Sequence, residues 1–230
     1  MKPLFRNAVL AFCAFCCVFA TLGCSASNLN ERQSAYHAIA EYWNDYNNGK
    51  ITLSEAKDRA HNFLGDYFDN RSGFPEGEIT RYDLIVDKDG LPSSAYLAYL
   101  LCNFDEEALK ANESVSDSSA YRLAIAADEE LSDGPTIGEQ RTEVLEKAIS
   151  ILDEYEKKRI NSSEAFYKMF SLAIDTDDFE EEYPIEHSLI TGVGSAFLQQ
   201  DSADENQAND AAKQTDYMID VLRKRASSIE

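Results

Sequence analysis

The feature that most constrains this chain is a recurring grammar of helix starts. Thr52-Leu53-Ser54-Glu55 and Thr136-Ile137-Gly138-Glu139 both have the form of a capping box, and Asn161-Ser162-Ser163-Glu164 opens a further helix in the same style. In such a box a short oxygen-bearing side chain takes an orphan amide of the new helix, while the glutamate three residues on reaches back to the cap's own amide. The residues that follow carry apolar side chains at spacings of three and four. Ala56, Ala60, Phe63, Leu64 and Tyr67 form one stripe; Val144, Leu145, Ala148, Ile151, Leu152 and Tyr155 form a second; Phe166, Met169, Phe170 and Ala173 form a third. That period belongs to helices with one buried face. The chain is therefore expected to be all-α: helical hairpins packed as a bundle or short solenoid, about eight helices in number.

Other helices follow from weaker signals. Tyr36, Ile39, Ala40, Trp43 and Tyr46 predict one from about Asn30 to Asn47, ended by Asn47-Asn48-Gly49, residues that accept left-handed backbone. Pro92-Ser93-Ser94 opens another through about Ala111, and Asp117 is expected to cap one from Ser118 to about Leu131. Pro184 suits a first helical turn. Helices from about Ile185 to Gln199 and Asp204 to Arg225 complete the set, with Arg223, Lys224 and Arg225 placed to meet the negative end of the last. The stretch Phe74–Leu91 reads as a short helix, since no partner strand is visible, and Asp87-Lys88-Asp89-Gly90 reads as a turn. Gly192-Val193-Gly194 lacks the third glycine of a dinucleotide fold and is expected to let two helices approach closely.

One turn occurs twice. Tyr46, Ile51, Ser54, Glu55 and Ala56 align without gaps to Tyr155, Ile160, Ser163, Glu164 and Ala165. Each copy joins a tyrosine-ended helix to a capped one, which is compatible either with an old duplication of two halves, about 31–132 and 136–230, or with a shared grammar of capped hairpins. Neither copy makes a calcium loop, because Tyr46 and Tyr155 stand where an oxygen ligand is required.

The first two dozen residues are different. Lys2 and Arg6 precede an uncharged run from Ala8 to Leu22, about 15 residues long and short of the roughly 20 that span a bilayer. A basic start, a short apolar middle and small residues before a cut site read as a secretion signal. At its end, Ala20-Thr21-Leu22-Gly23-Cys24-Ser25 resembles the lipobox of bacterial lipoprotein precursors. Thr21 stands where that family favours leucine, with Leu22 one place later. The resemblance implies a signal peptide over residues 1–23, cut just before Cys24, whose thiol receives a diacylglyceryl group and whose new amine is often acylated by a chain such as palmitate. Residues 24–30 would then be a lipidated tether and 31–230 a single acidic helical domain. The implied location is the cell envelope, lipid-anchored: the outer membrane in a Gram-negative host, with which Ser25 is compatible, or the outer face of the cell membrane in a Gram-positive one.

Charge and cysteines narrow the function. The chain has 21 Lys and Arg against 42 Asp and Glu, a formal charge of −21. Loss of Lys2 and Arg6 with the leader would take it to about −23. Such a surface repels phosphate backbones, so nucleic acid is excluded as a partner, and basic proteins or envelope components are favoured. With Cys13, Cys16 and Cys17 in the leader and Cys24 lipidated, Cys102 is the one thiol left. It sits in an apolar run, where a buried inert thiol is expected. His37, His61 and His187 lie far apart and predict no metal site. The acidic run Asp175–Glu182 reads as a solvated link. Neither a nucleophile elbow nor a phosphate-binding loop is present, and no cofactor is expected. The function implied is a membrane-anchored, non-enzymatic lipoprotein that binds a protein or envelope component. The alternatives are an acidic immunity or inhibitor lipoprotein and a lipid-anchored hydrolase of cell wall or glycan. Replacing Cys24 by alanine (Cys24→Ala) is expected to abolish incorporation of a labelled fatty acid by producing cells, with unprocessed precursor accumulating on gels.

Overall fold

The computed structural model describes residues 31–69, 86–87, 89–109, 113–134, 138–176, 178–203 and 207–229. The expected leader, Cys24 and the expected tether, and most of the Phe74–Leu91 stretch lie outside the described residues. Among these residues the chain is all-α, with nine helices: α1 (31–47), α2 (Leu53–Asp69), α3 (Ser94–Cys102), α4 (Ser119–Asp133), α5 (Glu139–Glu156), α6 (Ser162–Ile174), the single turn α7 (Phe179–Glu182), α8 (Pro184–Ser202) and α9 (Ala208–Ile229). No strand occurs among them; Val86 and Pro92 make one isolated antiparallel bridge. The end of the Phe74–Leu91 stretch is thus a bridged turn rather than a helix. Asp87 Oδ1 accepts the amides of Asp89 and Leu91, which closes the loop from within and leaves no helical hydrogen bonds to form.

The capped starts hold where they are local. Thr52 N donates to Glu55 at 2.7 Å and Glu55 N to the Thr52 hydroxyl at 3.2 Å. Asn161 and Glu164 exchange the same pair at 2.9 Å each. Three expected boundaries move. α5 begins two residues later than its box implies, with Gly138 as the cap in place of Thr136; Thr136 lies outside the described residues. Ser118, not Asp117, caps α4, because Asp117 is already engaged in closing a 3₁₀ turn with Ser114 at 2.7 Å. α3 stops at Cys102 rather than Ala111, since the Asn103 amide folds back onto the Tyr99 carbonyl. Phe104 then turns inward to meet Trp43 edge-on, ring centroids 5.0 Å apart.

Two apolar cores result. One is built on Tyr36, Ile39, Trp43, Ala60, Leu97 and Leu101 of α1 to α3 with α4; the other on Leu152, Met169, Ile190, Phe197, Met218 and Leu222 of α5 to α9. Each fully buried large side chain contributes roughly 1.5–3 kcal/mol relative to exposure. The halves exchange residues: Val86 packs into the second core and Ile185 into the first.

The two halves also share an arrangement. α4 runs antiparallel to α1, tied by Gln33–Ser132, His37–Asp128 and Asn44–Tyr121. α9 runs likewise along α5, with Arg223 on Asp153 at 2.8 Å and Ile229 beside Leu145. Against the inner helix of each hairpin, α2 or α6, lies α3 or α8. The turns share backbone bonds, although Ile51 N also reaches Asp45 O at 3.3 Å in the first. Gly49 N to Tyr46 O and Lys50 N to Asp45 O are repeated as Lys158 N to Tyr155 O and Arg159 N to Glu154 O. Gly49 and Lys158 both take positive φ, 68° and 55°.

The glycine pair of α8 does what its spacing implies. A Cβ on Gly194 would stand 3.4 Å from Met169 Cβ on α6, and one on Gly192 would stand 3.1 Å from the Met218 methyl on α9. Close approach on both sides wedges α8 between its neighbours. Gly194→Leu is therefore expected to cost about 1–3 kcal/mol by overpacking, read as a lower midpoint in urea unfolding.

Candidate functional site

The site is built around the first turns of α8. Pro184, in the first turn, fixes a helical entry without an amide to satisfy. The next residues diverge by face: Ile185 and Glu186 point inward, while His187, Ser188 and Thr191 line an outer groove.

Inside, four charged side chains from four helices meet. Glu186 and Arg225, their side chains only 1% and 2% exposed, are joined by the Arg225 Nε donating to Glu186 Oε1 at 2.7 Å. Arg141 donates to the same oxygen at 2.6 Å and to Glu130 Oε2 at 3.1 Å. Arg225 clasps both oxygens of Glu130, through Nη2 at 2.6 Å and through Nη1. Two cations balance two anions, so the cluster is formally neutral, as burial of charge demands. Gly90, at φ 80°, rests on the Arg225 stem, where a Cβ would come within 3.1 Å of the Arg225 Cβ. Arg141 also lies over the Tyr183 ring, 5.9 Å from its centre. A cavity of 250 Å³ opens beside the cluster, lined by Glu129, Glu130, Asp133 and Glu182 with Arg141.

Outside, α3, α4 and α8 leave a groove of 570 Å³ where the halves meet, within the range of ligand sites. Tyr96 and Leu100 of α3, Leu123 of α4, Phe104 and Leu109 give it apolar surface; Asp105 and Glu180 bring carboxylates to it, and no lysine or arginine lines it among the described residues. Burial lowers the His187 imidazole below its usual value, with Glu180 opposing.

Several expected features resolve differently from their sequence reading. The acidic run is pinned rather than open: Phe179 is fully buried, Glu180 accepts the Ser119 hydroxyl at 2.5 Å, and Glu181 meets Arg122 at 3.1 Å. Arg225 does not serve the end of α9; it is consumed by the buried cluster, and Arg223 by Asp153 and Glu156. Glu186, the sequence neighbour of His187, is buried. His37 meets Asp128 at 3.1 Å and His61 meets the Lys57 carbonyl at 2.9 Å. Among the described residues no three His, Cys, Asp or Glu side chains converge in a metal-binding group. Cys102 is half-buried, its Sγ 3.9 Å from the Lys57 carbonyl. Burial pushes its thiol up, away from the reactive thiolate.

Against known proteins, the chain matches no family model, no curated sequence and no solved structure.

The cluster makes stability depend on pH. Burial pushes the Glu130 carboxyl up, but the hydrogen bond and charge of Arg225, with Arg141 behind, outweigh it and hold it below its ordinary value of 4.5. A carboxyl lowered on folding stabilises the protein above its unfolded pKa and loses that contribution as pH falls through the folded one. Urea midpoints are expected to fall as acid is added below about pH 4.5, and Glu130→Gln to flatten that fall while lowering the midpoint at neutral pH.

Proposed function

We propose that this protein is a lipid-anchored, non-catalytic binding module of the cell envelope, held to its membrane through acylated Cys24. Its groove between α3, α4 and α8 receives a basic protein or envelope component. The observation that carries this reading is the groove's make-up: an apolar surface of Tyr96, Leu100 and Leu109 beside Asp105 and Glu180, with His187 but no lysine or arginine among the described lining residues, on a chain of net charge −21. Apolar area of that kind supplies affinity, and the surrounding field steers a cationic partner.

The hydrolase alternative needs a cleft carboxyl raised by burial to act as general acid. Among the described residues, the carboxylates that their surroundings clearly displace, Glu130 at the cavity among them, move downward, which favours binding over acid catalysis. An inhibitor or immunity role is the narrower form of the same reading, with a basic toxin or hydrolase as the ligand. The recurrence of the α1–α4 arrangement in α5, α6, α8 and α9 supports a duplicated origin for the halves 31–132 and 136–230.

The test is capture from solubilised host membranes by the full lipidated chain at low and moderate salt. The expected result is a stoichiometric basic partner that is released as salt rises. Leu100→Glu should weaken its capture by about 2 kcal/mol, roughly thirtyfold. A partner held equally by the variant, or no partner at all, would remove the groove from the mechanism.

A further inference from the structure

Five large apolar side chains stand exposed among the described residues, and three of them share one helix: Tyr167 at 67%, Phe170 at 43% and Ile174 at 61% on α6. Their spacing puts them on one face. Phe166 extends the patch inward, with its ring centre 5.1 Å from Tyr167 and 5.6 Å from Phe170.

The protein contains its own control for this face. α2 occupies the corresponding place in the first half, follows the same turn and begins with the same reciprocal cap. Counted from that turn, the positions matching Tyr167, Phe170 and Ile174 are Asp58, His61 and Gly65, all exposed. The same local architecture is therefore satisfied by a polar outer face on α2. The apolar face of α6 answers to something outside the fold.

Local charge identifies the occupant. Beside the stripe runs a groove of 650 Å³ between α5 and α6, with Ile151 and Leu172 for apolar surface and Tyr167 as a wall. Its charged lining among the described residues is Lys147 and Lys168 against Glu154 and Asp175, a balanced set on a chain whose acids outnumber its bases two to one. A basic ligand gains little here and much more at the groove near Glu180. A second acidic copy meets its least repulsion where the charges cancel. The patch also holds a ridge and an adjoining groove, the self-complementary pairing that a two-fold contact requires.

We propose that the α6 face is a homodimer surface, with the Tyr167–Phe170–Ile174 ridge of each copy seated along the α5–α6 groove of the other. One helix of 13 residues spans about 20 Å, so the contact belongs to the small, weak class rather than to obligate dimers.

The test is photocrosslinking of the full chain in producing cells, with p-benzoylphenylalanine in place of Tyr167. The expected product has twice the mass of the chain and yields peptides of this chain alone. The same probe in place of Asp58 should give none. Adding Ile174→Asp to the Tyr167 probe should reduce the product at least tenfold, while circular dichroism shows an unchanged helical content and melting profile. The proposal is overturned by adducts to another protein or to lipid, by an absence of product at position 167, or by equal product from position 58. Capture of a basic partner through the α3–α4–α8 groove does not depend on either outcome.

Discussion

Two carboxylates and two guanidinium groups meet in the interior of this protein, and most of the architecture exists to let them do so. Glu130 comes from the first half, while Arg141, Glu186 and Arg225 come from the second. None can be left alone: an unpaired charge at such burial costs several kcal/mol. The cluster therefore sets how α4 meets α5, α8 and α9. Its demands spread further. The Asp87–Leu91 turn sits on the Arg225 stem through Gly90, and the same Asp87 takes Arg32 and the Tyr36 hydroxyl at 2.9 Å from α1. A neutral apolar substitute could have filled the space with less desolvation. The charged version instead specifies which end of each helix goes where.

How much of this was legible in the sequence follows from the range of each interaction. The caps at Thr52 and Asn161 were readable because donor and acceptor lie three residues apart. The Gly192–Gly194 approach was readable because close packing leaves a residue-size signature. The ion cluster was not: Glu130 and Arg225 are 95 residues apart, and Arg225 has the same surroundings in sequence as a helix-end cation. The groove was hidden for another reason. α3, Ser94-Ala95-Tyr96-Leu97-Ala98-Tyr99-Leu100-Leu101-Cys102, is apolar almost all the way round. Its pattern could not say that Leu97 and Leu101 are buried while Tyr96 and Leu100 line a groove. The boundaries expected at Asp117 and Ala111 shift because the Asp117 carboxylate is already taken by the Ser114 amide and the Asn103 side chain occupies the Tyr99 carbonyl.

The two faces of the molecule divide their electrostatic work. At the α3–α4–α8 groove, Asp105 and Glu180 meet no lysine or arginine among the described lining residues. Along α5 and α6 the lysines are spent locally, Lys147 on Glu143 at 2.7 Å and Lys168 on Glu154. Exposed pairs of that kind add little to stability. Their effect is to neutralise charge locally on that side of an acidic protein.

The separation of Glu130 from Arg225 also imposes an order in time. A chain growing at about 5–20 residues per second completes α4 roughly 5–20 s before Arg225 has been made. Throughout that interval Glu130 has no Arg225 to neutralise it and is better left in water. Arg141 follows Glu130 closely in the chain, but the full pairing of Glu130 waits for the last helix to supply Arg225.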